Sequence, residues 1–137
     1  MIKNNIGNKG AANDGGYATV LVTSGFGDNH GVSMQWDSRD GTNDGGLDGP
    51  PHYDDDITIP PVWLKMTRVG NIISGYYSTD GVTYSVANIT SPSFVDMSSN
   101  PNINESVNIG IWCDGNGYAA RETLVLAQFD SFSIRAL

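Results

Sequence analysis

The chain has 137 residues, which suits a single domain large enough to bury a hydrophobic core. Its 15 Asp and Glu outnumber its 7 Lys and Arg and give a net charge of −8, so its surface repels phosphate backbones and anionic lipids. Nucleic acid is therefore excluded as an expected partner, and the lack of a long apolar run excludes membrane insertion.

The composition favours an all-β fold. The chain contains 17 Gly together with many Asn, Asp and Ser, which are turn-forming residues. No stretch shows sustained helical spacing of apolar residues, so no substantial helix is expected. A single cysteine, Cys113, excludes an intramolecular disulfide, and its apolar neighbours predict a buried, inert thiol.

The N-terminal part divides into a polar segment and the start of the domain. Residues 1–16 are rich in Gly and Asn and are interpreted as a linker or loop, with the β domain spanning residues 17–137. Tyr17–Thr23 is continuously apolar, as expected of a buried strand. In Val32–Asp37 the apolar and polar residues alternate, which predicts a strand with its apolar side chains in the core.

A long loop rich in Asp and Gly follows the second strand. Its candidate metal ligands are Asp37, Asp40, Asn43, Asp44 and Asp48. Calcium prefers six to eight oxygen ligands, and interleaved Gly residues allow a chain to wrap around the ion. The spacing resembles the calcium loops of thrombospondin type-3-like and dockerin-like repeats, although Arg39 stands where an acid is expected. The alternative is a solvated, Gly-rich turn.

The centre of the chain predicts a three-stranded antiparallel meander. Trp63–Val69, Ile72–Tyr77 and Val82–Ala87 are rich in β-branched and aromatic residues. Gly70-Asn71 and Ser78–Gly81 separate them and supply the positive φ that hairpin turns require. Trp63, like Trp36, is expected in the core, whereas Lys65 and Arg68 are expected at the surface.

The C-terminal third predicts one short strand and two long ones. An edge strand is expected around Ser93–Met97, and Val107–Asp114 and Thr123–Ile134 are expected to close the fold as long strands. Asn88-Ile-Thr90 and Asn104-Glu-Ser106 match the N-glycosylation pattern, and neither is expected to be used.

The meander also resembles a known family. The matching residues are Trp63, Leu64, Lys65, Met66, Arg68, Gly70, Asn71, Tyr76, Tyr77, Ser78, Asp80 and Gly81. This pattern resembles the concanavalin A-like jelly-roll domains of extracellular bacterial proteins, in particular the DUF1349 and laminin-G-like modules of secreted carbohydrate-active enzymes. The resemblance covers roughly residues 15–135 and is specific for the fold rather than for a ligand.

The resemblance implies an antiparallel β-sandwich of the concanavalin A-like jelly-roll type. Members of that family carry several more strands before the one that matches Tyr17–Thr23, so the domain is expected to be N-terminally truncated. Either a partner chain supplies those strands or the fold is a reduced version, and both explanations stay open. Because Met1-Ile2-Lys3 is not followed by an apolar segment, we expect a mature chain or a module of a longer one.

The function implied by the resemblance is a non-catalytic carbohydrate-binding or adhesive module, secreted, with an appended catalytic domain as a partner and calcium as a structural ion. Sugar binding needs aromatic faces and planar polar groups. If Ile109 and Ile111 face the core, Asn108 and Trp112 face the other way. The predicted carbohydrate-binding residues are Gln35, Tyr76, Asn108 and Trp112. Alternatively, Tyr76 and Trp112 are half-buried packing residues.

Two other functions stay open. One is a structural or assembly domain completed by strands from a partner chain, with an exposed sheet edge as the functional surface. The other, less favoured, is a glycan-active enzyme. Glycan cleavage needs a pair of carboxylates, the E-x-D-x-x-E pattern of jelly-roll glucanases is absent, and Glu105 and Glu122 are the only glutamates. No catalytic residue is therefore predicted.

Overall fold

A computed structural model describes residues 2–3, 17–23, 31–36, 61–88, 92–98, 105–111 and 128–136. These residues contain eight β-strands, and no helix occurs among them. All strand pairs are antiparallel, which confirms the predicted all-β fold. In this part of the chain, no helix has the length and apolar character needed to cross a membrane.

The first sheet has four strands in the order β3-β2-β1-β8. Their bounds are β1 Ile2–Lys3, β2 Tyr17–Thr23, β3 Gly31–Trp36 and β8 Asn108–Ile109. The assignment of residues 1–16 to a linker or loop is wrong for Ile2–Lys3, because this strand lies between β2 and β8 and Ile2 is only 5% exposed. Ile2–Lys3 forms a strand in a polar segment because the Ile2 side chain is buried and the strand pairs with a neighbour on each of its two edges. Residues 4–16 lie outside the described residues.

The second sheet is built around the predicted meander. Its strands are β4 Trp63–Val69, β5 Ile72–Ser78, β6 Ser85–Val86 and β7 Phe94–Asp96. β4 pairs with the whole of β5, while β6 and β7 share the other edge of β5, one after the other. The meander and the edge strand around Ser93–Met97 are thus confirmed. The third meander strand, Ser85–Val86, is shorter than the predicted Val82–Ala87.

The turn between β4 and β5 has two central residues. Gly70 has φ of 58°, and Asn71 does not have a positive φ. A positive φ at the first central position alone is the pattern of a type II′ turn, whose twist matches that of the flanking strands. The turn pairs Val69 with Ile72 and so fixes the register along the whole hairpin.

The two sheets bury apolar side chains against each other. The buried core residues are Ile2, Ala18, Val20, Val32, Met34, Trp36, Ile73, Ala87, Val95 and Met97. Val32, Met34 and Trp36 confirm the alternation predicted for β3. Ser33 and Gln35, on the other face of that strand, are buried as well.

Gly75 of β5 lies at a close contact between the two sheets. A Cβ atom at this position would lie 2.5 Å from Val20 Cγ2 and 2.9 Å from Met34 Sδ. Real Cβ atoms do not come so close to other atoms. Glycine is therefore required here by space rather than by backbone conformation.

Asn88 ties the second sheet to the edge of the first. Its Oδ1 accepts the backbone N–H of Met34 at 2.8 Å, and its Nδ2 donates to Met34 O at 3.1 Å and to Pro92 O at 2.8 Å. The amide thus takes the place of a neighbouring strand beside β3. With 2% exposure and both of its hydrogens donated, this amide is incompatible with a glycan in the folded chain.

The two long closing strands are not formed in the described residues. β8 spans only Asn108–Ile109, and residues 128–136 form no strand. Ile109 and Ile111 are about half exposed, although the pairing of Ile109 with Ile2 places Ile109 on the core-facing side of the first sheet. The alternating pattern after residue 128 requires an edge to pair with, and Ser131, with φ of 59°, interrupts the extended backbone there.

The close approach at Gly75 predicts a specific intolerance. Gly75→Ala should lower the free energy of unfolding by about 1–3 kcal/mol, because its methyl group overpacks the core between Val20 and Met34. Gly110→Ala is the matched control, since a Cβ there meets no atom within 4 Å. Urea denaturation followed by tryptophan fluorescence measures both variants. Equal stability of the two variants contradicts the packing.

Candidate functional site

The structure does not bring the predicted sugar-binding residues together. Gln35 on β3 and Asn108 on β8 lie at opposite edges of the first sheet, three strand spacings or about 14 Å apart. Tyr76 belongs to the second sheet, and Gln35 is only 8% exposed. Trp112 lies outside the described residues.

The predicted metal ligands cannot be placed either. Asp37, Asp40, Asn43, Asp44 and Asp48 all lie outside the described residues. Within the residues that are described, no group of three or more His, Cys, Asp or Glu side chains could hold a metal ion. The calcium loop therefore stays a prediction.

The second sheet instead presents a set of aromatic side chains on its outer face. Ile73 and Gly75 of β5 point into the core, so Tyr76 points outward. The hairpin register places Lys65 directly opposite Tyr76, and opposed residues share a face. Tyr84, just before β6, joins them, because the Lys65 ammonium lies 4.0 Å from its ring centroid.

Trp63 completes this surface, contrary to its expected place in the core. Its side chain is 42% exposed. Its ring packs against the loop after β5, since a Cβ at Gly81 would lie 3.0 Å from Trp63 Cε2. Trp63 is paired with Ser78 and therefore stands on the same outward face as Lys65. We call Trp63, Lys65, Tyr76 and Tyr84 the aromatic platform.

Lys65 is held in the platform by its neighbours' rings. Its ammonium lies 4.0 Å from the Tyr84 centroid and 4.9 Å from the Tyr76 centroid. A cation over an aromatic face gains about 0.5–1 kcal/mol at a partly exposed site. Lys65 is consequently half-buried rather than a freely solvated surface residue. Its charge is fixed in the middle of the aromatic surface.

Arg68, the other cation of β4, has a different role. Its Nη1 donates to the backbone oxygen of Glu105 at 2.7 Å, and its Nε donates to that of Gly70 at 3.3 Å. These contacts tie the hairpin end to the segment before β8. Two N–H donors of Arg68 are thus used within the protein, in a structural role.

An open depression lies at the loop that follows β5. It has a volume of about 420 Å³ and is lined by Tyr77, Ser78, Thr79, Asp80, Thr83 and Ser85. Hydroxyl groups dominate this lining, together with one aromatic ring and one carboxylate. Tyr77 and Ser85 pair with each other and Tyr77 packs against the core, so these two residues face away from the platform.

Asp80 shapes the loop that forms this depression. Its Oδ1 accepts hydrogen bonds from Ser78 Oγ at 2.8 Å, Val82 N at 2.8 Å and Thr83 N at 2.7 Å. Ser78 Oγ in turn accepts the N–H groups of Asp80 and Gly81. These bonds fold residues 79–83 into a compact loop, so β6 begins only at Ser85 and the predicted third strand is shortened.

The same hydrogen bonds hold the pKa of Asp80 well below its usual range. The backbone N–H groups of Thr83 and Val82 and the hydroxyl of Ser78 all favour the ionised form. Asp96 has a lowered pKa for a similar reason, because the hydroxyl and N–H groups of Ser98 bond its Oδ1. Both carboxylates are structural elements of turns.

The residues predicted from sequence to bind a sugar did not include three members of the platform: Trp63, Lys65 and Tyr84. The signal for two of them was present, because a two-residue turn at Gly70-Asn71 already fixes which residues of β4 and β5 oppose each other. Lys65 then stands opposite Tyr76. Tyr84 gave no such signal, since its strand was predicted to start too early.

Comparison with protein-family models, with curated proteins and with solved structures gives no match to this chain. The geometry of the platform is therefore the basis for a functional assignment.

The lowered pKa of Asp80 gives a pH dependence of stability. A carboxylate whose pKa is lower in the folded state than in the unfolded state stabilises the fold at pH values above the unfolded-state pKa of about 4. This contribution is lost as the pH falls through the folded-state pKa. Asp80→Asn cannot lose a charge on acidification. The stability advantage of the unsubstituted chain over Asp80→Asn should be largest near about pH 7 and shrink toward about pH 2.

Urea midpoints of both proteins across this range measure the effect. The control is Asp130→Asn, an exposed aspartate whose hydrogen bond within the described residues is from the hydroxyl of the adjacent Ser131. Parallel pH profiles for the unsubstituted chain and Asp80→Asn would show that the loop does not depend on this carboxylate.

Proposed function

We propose that the chain is a non-catalytic carbohydrate-binding or adhesive module that binds a polysaccharide through the aromatic platform. The observation that carries this proposal is the placement of Trp63, Tyr76 and Tyr84 on one outward sheet face, with Trp63 42% exposed. The C–H faces of sugar rings pack on aromatic faces, and a few fixed polar groups orient the hydroxyls.

Each part of the surface has a role in this proposal. Trp63, which rests on Gly81 and so keeps its orientation, supplies the principal stacking face. Lys65 supplies hydrogen-bond donors at the centre. A rigid sheet face of this kind needs little reorganisation on binding.

The finer fold assignment belongs to the same proposal. Two antiparallel sheets that share a buried core support a β-sandwich of the concanavalin A-like jelly-roll type. With it goes the proposal of an extracellular, secreted bacterial protein in which an appended catalytic domain is a partner. Gln35, Asn108 and Trp112 are no longer part of the proposed surface, whereas Tyr76 is retained.

A non-catalytic role suits the chemistry of the platform. Glycoside hydrolysis requires two carboxyl groups placed across the scissile bond. Asp80 is the carboxylate that lines the depression, and its Oδ1 carries three hydrogen bonds of its own loop. Its lowered pKa also makes it unsuited to act as a general acid near neutral pH.

A second candidate function, an assembly domain that pairs with a partner chain, is favoured by the segment 128–136. Phe129, Phe132 and Ile134 are each more than half exposed, and the segment forms no strand. Apolar side chains in such a segment can be buried by pairing with the sheet edge of another chain.

The binding proposal predicts the effect of one substitution. Trp63→Ala should weaken retention of the chain on a polysaccharide by about tenfold or more, because a stacking face is lost. The melting temperature should fall little, because Trp63 is half exposed. Affinity electrophoresis through gels that contain single polysaccharides measures the retention.

Phe129→Ala is the matched control, since it removes another exposed aromatic ring far along the chain. It should leave retention unchanged. Sedimentation of the same proteins separates the two functions: a concentration-dependent dimer that Phe129→Ala weakens supports the assembly domain. Retention that is indifferent to Trp63→Ala contradicts binding through the platform.

Structural calcium at the loop Asp37–Asp48 remains part of the proposal. The carboxylate and amide oxygens of the five candidate ligands suit a hard cation. A site with Kd of about 10 μM should stabilise the fold by about 2.7 kcal/mol at about 1 mM calcium. Thermal melts in EDTA and in CaCl₂ measure this, with Asp44→Asn as the variant that should lose the shift. An unchanged melting temperature contradicts a calcium site.

A further inference from the structure

The centre of the aromatic platform carries a positive charge in a chain of net charge −8. We propose that the ligand of the platform is an acidic polysaccharide, whose sugar carboxylates bind the ammonium group of Lys65. This inference rests on the proposed function and adds to it the chemical class of the ligand.

The positive charge of Lys65 lies between aromatic rings of the platform. The Lys65 ammonium is held by two tyrosine rings, 4.0 Å and 4.9 Å from their centroids. An ammonium group has three N–H donors, and within the described residues the contacts shown for this one are to the two rings. Because these contacts already restrict the head group, a ligand carboxylate has less lysine side-chain freedom to remove. A charge-assisted hydrogen bond then forms at a lower entropic cost.

Arg68 on the same strand is placed differently from Lys65. Its Nε and Nη1 donate to the backbone oxygens of Gly70 and Glu105. For Lys65, by contrast, the contacts within the described residues are to aromatic faces, which accept a cation without neutralising it. Lys65 therefore keeps its full charge available for a ligand.

Among the described residues, the neighbours of Lys65 on its face of β4 and β5 are uncharged. The outward residues beside Lys65 on β4 and β5 are Trp63, Thr67, Ser74, Tyr76 and Ser78, and none of them is acidic. Asp80 lies in the adjoining loop, with its Oδ1 facing the N–H groups of that loop. At about 0.15 M ionic strength, charges more than about 8 Å away are largely screened. The local positive charge then decides which ligand is attracted.

A pair of polymers that differ only in charge tests this inference. Polygalacturonate carries a carboxylate on each sugar, and its methyl ester has the same backbone without the charge. In affinity electrophoresis at about 0.15 M ionic strength, the unsubstituted chain should bind polygalacturonate about tenfold more tightly than the ester.

Lys65→Gln should bring the ratio of the two Kd values toward one, and Lys65→Arg should keep it well above one. Arg135→Gln, an exposed cation far along the chain from Lys65, is the control for net charge and should leave the ratio unchanged. A thermal melt of each variant verifies that it is folded. If Lys65→Gln is unfolded, Lys65→Met and Lys65→Arg supply the comparison.

The outcomes distinguish this inference from the proposed function. Equal binding of both polymers, or a preference that Lys65→Gln retains, overturns the acidic ligand while platform binding stands. Binding of the methyl ester alone also overturns the acidic ligand while platform binding stands. If neither these polymers nor any neutral polysaccharide is retained, the proposed function fails, and the inference fails with it.

Discussion

The contact between Met34 and the second sheet is the interaction on which the described structure depends. In β3 the peptide groups of Met34 face away from β2 and are bonded by the side-chain amide of Asn88. The Met34 side chain lies against Gly75, where no larger residue fits. Buried peptide groups must be bonded and buried side chains must be closely packed. Asn88 bonds the peptide groups of Met34, and Gly75 leaves room for the Met34 side chain, so both requirements are met at Met34.

This contact also determines where the aromatic platform lies. Gly75 and Ile73 face the first sheet, so the alternation of β5 places Tyr76 on the outward face. The hairpin register places Lys65 and Trp63 on that same face. Ser93 reinforces the arrangement, because its Oγ donates to Gly75 O at 2.7 Å and accepts the N–H of Ala87 at 2.9 Å. The inward side of β5 stabilises the fold, and its outward side presents the surface proposed to bind a glycan.

Sequence reasoning succeeded where a local signal fixes the structure. The Gly70-Asn71 turn, the alternation of β3 and the edge strand at Phe94–Asp96 all follow from neighbouring residues. It failed where the outcome depends on distant partners. Nothing local shows that Ile2–Lys3 inserts between two strands, or that the alternating residues after 128 find no strand partner in the described part of the chain. The prediction of the candidate site failed for the same reason. Trp63 is a residue type common in cores, and only the register of its hairpin places it on the outward face.

Native-state hydrogen exchange at the Met34 amide tests the account most directly. The amide lies on a strand edge, and its protection depends on Asn88 Oδ1, 54 positions away in sequence. It should exchange about as slowly as global unfolding allows, and Asn88→Ala should accelerate it markedly, whereas Asn71→Ala at the exposed hairpin turn should not. Rapid exchange of this amide in the unsubstituted chain, or exchange that is unaffected by Asn88→Ala, would contradict the joining of the two sheets at Met34.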